Sequence, residues 1–308
     1  MKTIDLFSGC GGMSLGFQNA GYEIIVACDN WDKAIENYKL NFEHPILDID
    51  LSDIEQSLSA LEPYSPDVII GGPPCQDFSI AGTRRMKFFE MDGERARLTI
   101  SFAEIVKEEQ PRFFIMENVP HAKKSRTYQE AAKIFHDSGY TLHGTNLNAK
   151  FCGVPQNRIR FFVIGELNNQ TWNIVGLLHQ GLSSLPTTMI DYFPKELKET
   201  DTFFHHQRNY DRPSIFSVKG PAPTIRGQHR PKPLPHNYRK NYRDAGPIAD
   251  ALDFTSRERA LIQTFPMSFK FTGFDRHLNQ MIGNAVPVKM AEYIATTLKP
   301  IIEKETQK

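Results

Sequence analysis

The chain has 308 residues and balances 36 Lys and Arg against 36 Asp and Glu, so its formal net charge is zero. Hydrophobic residues make up 40% and charged residues 23%, the composition of a folded water-soluble protein rather than a disordered one. No apolar run reaches the roughly 18 residues that a membrane-spanning helix needs, and no signal-peptide pattern precedes the first strand, so no membrane association and a cytoplasmic location are expected. The four cysteines, Cys10, Cys28, Cys75 and Cys152, lack the short spacing of zinc ligands, so free thiols and no metal are expected.

In chain order, the first half alternates strand and helix signals. Ile4 to Phe7 is a short apolar run that enters a glycine-rich turn, and a short helix is predicted over 14–20. A buried strand over 23–28 ends at polar Asp29, with helical spacing over 31–41. A strand over 67–70 is broken by Gly71-Gly72-Pro73-Pro74. A helix over 98–109, a strand over 113–116, a helix over 127–138 and a strand over 160–164 follow. This alternation predicts an α/β fold, a Rossmann-like parallel sheet with helices on both faces. After Gly165 the periodicity fades, and Pro, His, Asn and Arg become frequent. Helical patterns return over 256–264 and 288–303. The expected organisation is a catalytic domain over 1–165 and 254–308, with a small irregular domain over 166–253.

Charge is unevenly spread despite the neutral total. Between His205 and Arg243 there are nine Lys or Arg and one acid, Asp211, a local balance of +8. Such a segment suits a polyanion, although a solvated loop would also carry it.

In open α/β sheets, ligands bind at the carboxyl ends of strands, where every unusual motif of this chain lies. The turn Phe7-Ser8-Gly9-Cys10-Gly11-Gly12 permits close approach of a nucleotide-like ligand, or a tight packing corner. Asp29, before Asn30 and Trp31, suits ribose hydroxyls or a helix cap; Trp31 suits a purine face or a core. Asp50 suits an adenine contact, but a lone acid there is equally a cap. Gly71-Gly72-Pro73-Pro74 holds Cys75 on a stiff turn, an unusual setting for an inert thiol. Glu117 follows a strand, where a carboxyl in a cleft can stay protonated and donate a hydrogen bond, or be a solvated or helix-capping acid. Alternation places Arg158 and Arg160 on one face of an extended segment, fit for a phosphate, a carbonyl or a carboxylate, or for salt bridges.

Together and in this order, these segments resemble the DNA cytosine-5 methyltransferases of the kind paired with bacterial restriction enzymes. Pro-Pro-Cys-Gln, Glu-Asn-Val and Gln-x-Arg-x-Arg carry most of the likeness, with Arg257-Glu258 and Gln263-Thr264-Phe265-Pro266 near the C-terminus. The resemblance implies S-adenosylmethionine (AdoMet) as methyl donor and double-stranded DNA as substrate. It implies Cys75 as nucleophile, Glu117 as the acid at the amino-pyrimidine edge, Arg160 at the cytosine carbonyl and Arg158 as a supporting or phosphate contact. AdoMet would be held by Phe7, Ser8, Gly9, Gly11, Gly12, Asp29, Asn30, Trp31, Asp50, Pro73, Leu98, Asn284 and Val286. In many members the ribose-binding acid immediately precedes the aromatic residue; here it stands one earlier, at Asp29. DNA contacts are expected from Gln76, Ser79, Arg84, Arg85, Arg226 and Arg230. The stretch 80–97 would be a closing loop and 166–253 the target-recognition domain. A cognate endonuclease and a monomeric enzyme are also expected. A branch of the family that acts on transfer RNA carries a Cys-Phe-Thr signature, which is absent here. A binding-only relative would lack Cys75, Glu117 or the glycine turn.

Overall fold

The computed structural model describes residues 1–74, 97–168, 172–193, 201–207 and 211–306. These form two compact units. The first comprises 1–147, 159–182 and the C-terminal segment from Ala291; the second comprises 148–158 and 183–290.

The first unit is built on a seven-stranded sheet. Its strands are β1 (Lys2–Leu6), β2 (Glu23–Asp29), β3 (Ile46–Asp48), β4 (Val68–Gly71), β5 (Phe113–Asn118), β6 (Tyr140–Asn148) and, after the two-residue β7 (Gln156–Asn157), β8 (Ile159–Leu167). The order across the sheet is β3-β2-β1-β4-β5-β8-β6. Strands β1 to β5 pair in parallel. Strand β8 departs from the all-parallel expectation and runs antiparallel to β5, Phe113 facing Glu166 and Asn118 facing Phe161. The chain therefore enters β8 at the same edge where β1 to β5 end. That brings Arg160, near the start of β8, level with the end of β5.

Helices α1 (Gly12–Asn19), α2 (Asp32–Lys39), α3 (Ile54–Leu61), α4 (Leu98–Glu109) and α5 (Arg126–Asp137) flank the sheet, with the short α6 (Ile174–Gln180) following β8. Helix α4 buries Phe102, Ile105 and Val106, spaced to share one face, and ends where Gln110 turns left-handed at φ 47° before Pro111. Ser125 caps α5 by accepting the Tyr128 amide. Between these helices and the sheet, Phe114 stacks on Phe135 at 4.1 Å, with Phe102 edge-on to both. Ile4, Leu6, Val26, Ile69 and Val163 complete this core.

The second unit contains α7 (Met189–Tyr192), β9 (Thr202–Phe204), β10 (Ile215–Ser217), β11 (Ala222–Pro223), β12 (Leu252–Asp253), α8 (Ser256–Ile262) and α9 (Asp275–Asn284). Strands β10, β9 and β12 form one small sheet, while β11 pairs in parallel with β7. The strands are two or three residues long, which is why no clear periodicity marks them. Thr255 and Glu258 close a reciprocal capping box on α8. The last helix, α10 (Val288–Thr306), starts in this unit and continues into the first. No helix among the described residues is long and apolar enough to cross a membrane.

Candidate active site

Parallel strands running away from a common switch point leave a crevice at their carboxyl ends. Here the order reverses between β1 and β4, and the glycine turn, Asp29, Gly71-Gly72-Pro73-Pro74 and Glu117 end or follow the strands at that edge.

On the β1 side, the chain leaves Leu6 through Phe7, which takes a left-handed φ of 58°. Ser8 donates its amide to the Cys28 carbonyl at 3.0 Å, and the Gly11 amide closes the turn on the Ser8 carbonyl at 2.9 Å. Gly9 has φ +55° and open space where a Cβ would stand. Gly11 has φ +89°, and a Cβ there would strike the Phe42 ring. Glycine is thus required at Gly11 by backbone and neighbour alike. Gly12 begins α1. Asp29, at the end of β2, accepts the Gly9 amide at 2.8 Å on one oxygen and the Trp31 amide at 2.9 Å on the other. Burial raises the Asp29 carboxyl above its ordinary range, and nearby Asp48 adds to this; amides of Trp31, Gly9 and Asn30 pull the other way. Trp31 is half-buried at the head of α2, and Asn30 is exposed.

This turn fits a nucleoside. Gly9 leaves room for a ligand over the backbone. The buried Ser8 hydroxyl has no hydrogen-bond partner among the described residues. Each Asp29 oxygen keeps accepting capacity beyond the amide it already accepts.

Asp50 follows β3. It is exposed and accepts the Ser52 amide at 3.0 Å, the turn-capping alternative for a lone acid. The acid beside Asp29 is Asp48, its partner in the β2–β3 register. Asp48, exposed like Asp50, ends the three-residue β3.

On the β4 side, Gly71 ends its strand where a Cβ would meet the Leu6 carbonyl and the Phe102 ring. A Cβ at Gly72 would lie 3.3 Å from Glu117 Oε2, and Asn118 Nδ2 donates to the buried Pro73 carbonyl at 3.4 Å. The ends of β4 and β5 are thereby joined directly ahead of Cys75. Glu117 is 7% exposed and pairs with Arg160, Nε to Oε1, at 2.8 Å. Leu98, at the start of α4, is half-buried. Cys75, Gln76, Ser79, Arg84 and Arg85, with all of the 80–97 stretch except Arg97, lie outside the described residues. The other three cysteines are buried free thiols. Burial pushes Cys10 and Cys152 up to about 12 and Cys28 higher still, which leaves them poor nucleophiles.

Arg158 differs from its expected supporting role at the site. It is 1% exposed, and its guanidinium donates to the carbonyls of Ile225 at 2.9 Å, Gly283 at 3.1 Å and Ala285 at 3.0 Å. Alternation does not hold across these two residues because β7 stops at Asn157 and β8 begins at Ile159. Arg158 knits the second unit together, whereas Arg160 faces Glu117. Asn284 is exposed at the end of α9 and accepts from Gln280 at 3.0 Å; Val286 is buried. Arg226 is half-buried and donates to the His206 carbonyl, and Arg230 is exposed. Among the described residues no group of three or more His, Cys, Asp or Glu could hold a metal ion.

The fold is that of a methyltransferase structure from Schizosaccharomyces pombe, Dnmt2, with a TM-score of 0.72 at 19% identity over 98% of this chain and 99% of the other. The profile of C-5 cytosine-specific DNA methylases matches residues 1–214 and 207–300. The type II methyltransferase M.HgiDI of Herpetosiphon aurantiacus is 49% identical over 97% of this chain and 94% of its own length. M.HindV of Haemophilus influenzae, another type II methyltransferase, is 47% identical over 97% and 96%. The chain belongs to the C-5 cytosine-specific DNA methylases. It is a DNA (cytosine-5-)-methyltransferase, and its family implies AdoMet as methyl donor.

Proposed function

We propose that the enzyme methylates carbon 5 of a cytosine swung out of double-stranded DNA, through a transient bond between Cys75 and the base, as the modification arm of a type II restriction system. The observation that carries this reading is the Glu117–Arg160 pair, with Glu117 lying against Gly72, three residues before Cys75 in the sequence.

Carbon 5 of an aromatic pyrimidine is a weak nucleophile. Attack of the Cys75 thiolate on carbon 6 forms a C–S bond and pushes the double-bond electrons toward carbon 5. Glu117 holds the ring at nitrogen 3 and the amino edge, and Arg160 fixes the ring carbonyl. AdoMet, when bound, supplies an electrophilic methyl on a sulfonium. Once carbon 5 carries the methyl, a base takes its proton, the C–S bond breaks and Cys75 leaves as thiolate. Swinging the base out costs a few kcal/mol, which contacts to the 80–97 stretch would offset. The AdoMet site is the glycine turn with Asp29, Trp31 and Asp48. Target reading belongs to 166–253, whose basic residues suit phosphates and base edges. A cognate endonuclease, acting in the same system without binding this chain, would cut the unmodified sequence.

Bisulfite sequencing of DNA treated with enzyme and AdoMet tests the reaction and reveals the site together. The expected result is one short sequence methylated at a single cytosine. Methyl transfer confined to transfer RNA overturns the substrate assignment. Cys75→Ser should lower turnover by at least about a thousandfold while sparing DNA binding; near-normal activity would exclude the covalent route.

A further inference from the structure

The cofactor turn rests on a polar chain that the proposed reaction does not use. Asp5 lies on β1 two residues before Phe7 and is 1% exposed. Its Oδ2 accepts from the Ser14 hydroxyl on α1. Tyr38, fully buried on α2, donates its hydroxyl to Ser14 Oγ at 2.7 Å and meets His44 Nε2 at 2.7 Å. His44 is half-buried and faces the rings of Tyr38 and Phe42. Those two rings also fill the space that a side chain at Gly11 would need. One cluster thus braces the turn by packing and ties its flanking strand and helix together by hydrogen bonds.

Counting hydrogens gives the chain a specific property. Its three links, Asp5–Ser14, Ser14–Tyr38 and Tyr38–His44, need three hydrogens. The two hydroxyls supply two. The third comes from His44 Nε2, with all donors pointing inward at an Asp5 carboxylate, or from a protonated Asp5, with all donors pointing outward. Both ends cannot supply it together, and with neither a link is lost. The groups that face Asp5 are Asp29 and Cys28 on β2, Ser14 on α1 and Tyr38 on α2; the Ser14 hydrogen bonds favour its charged form and Asp29 its neutral one. Burial foremost, with the charge of Asp29, pushes the Asp5 carboxyl up to about 7, and burial lowers His44.

We propose that Tyr38 and His44 are positioning residues of the AdoMet turn, and that the Asp5–Ser14–Tyr38–His44 chain sets the charge beside Asp29 by carrying one proton that either end can hold. This rests on the assignment of the glycine turn to AdoMet. The chain makes cofactor affinity depend on pH: Asp5 gains its proton as pH falls through neutrality, and His44 switches from Nε2–H to Nδ1–H in step.

Calorimetric titration of the full chain with AdoMet between pH 5.5 and 8.5, for wild type, Tyr38→Phe and His44→Gln, tests this. Wild-type affinity should change with pH. Tyr38→Phe, which loses two of the three links and leaves Ser14 short of a donor, should bind about tenfold more weakly and with a flattened profile. His44→Gln keeps a donor for Tyr38 but cannot exchange a proton, so its affinity should no longer follow pH. Nitrogen-15 spectra of wild-type His44 should report the tautomer switch over the same range, and this readout holds if Tyr38→Phe does not fold. Wild type that fails to bind AdoMet overturns the cofactor assignment itself. Wild type that binds, with His44 fixed in one tautomer and both variants tracking it at every pH, overturns only the relay.

Discussion

Along the carboxyl edge of the sheet, the β1–β3 side holds its polar groups with backbone amides and hydroxyls, whereas the β4–β5–β8 side relies on an ion pair. Asp5, Asp29 and Asp48 converge on the first side, with Ser14, Gly9 and Trp31 as partners. Glu117 meets Arg160 on the second. Carboxylates satisfied by neutral donors remain poised between charged and neutral forms, while a carboxylate facing a guanidinium is held as an acceptor in fixed geometry. The first arrangement suits recognition of a nucleoside by its hydroxyls. The second suits gripping a ring whose charge changes during reaction.

This contrast can be broken in three ways. Glu117→Gln should produce the largest effect, a fall in kcat of about a thousandfold with AdoMet affinity retained, because it removes stabilisation of charge that develops only in reaction. Single-turnover methyl transfer beside cofactor titration separates the two quantities. A matching loss of AdoMet affinity would erase the distinction between the sides.

The next effect concerns stability. Burial, foremost, pushes the Asp5 carboxyl up to about 7 in the folded chain, against an ordinary value of 3.8. The native state therefore binds a proton that the unfolded chain has released between those values. The stability Asp5 contributes is full below about pH 4 and is lost as pH rises through 7. Denaturant unfolding of wild type and Asp5→Asn should show the variant gaining on wild type over that window, by on the order of 3 kcal/mol. A constant difference across pH would mean that Asp5 has the same affinity for its proton in both states.

The smallest is Asp29→Ala. It should weaken AdoMet binding about tenfold, since the turn loses the acceptor of its Gly9 and Trp31 amides and, in the proposed cofactor site, AdoMet loses one too, while kcat at saturating cofactor changes much less. Equal losses in both would place Asp29 in the reaction rather than in binding.

Much of the edge was legible because it is written in glycine, proline and isolated acids following apolar runs. Helix α4 spans the predicted 98–109, and β1, β2, β4, β5 and β8 fall within a few residues of their sequence signals. The less legible parts share a physical cause. Strand β3 is too short for periodicity to mark it. Helix α9 is largely polar, so its last turn, ending at Asn284, reads as a loop. The antiparallel run of β8 depends on strand pairing across the sheet, which local sequence does not encode. Arg158 and Arg160 are alike in sequence and part only because one finds three carbonyls and the other a carboxylate.

The way Arg158 and its neighbour Gln156 are tied has a practical consequence for engineering new specificities. Gln156 accepts the Ile225 amide at 2.8 Å and donates to Gln263 at 2.8 Å, while Ala222 and Pro223 lie in register beside Gln156 and Asn157. A graft that exchanges the basic segment for that of a relative would have to preserve the backbone course of residues 222–226, or it would strand a buried guanidinium and a buried amide at once. Chimeras joined outside that stitch should express as folded protein, and those cut through it should aggregate whatever sequence their new loops were meant to read.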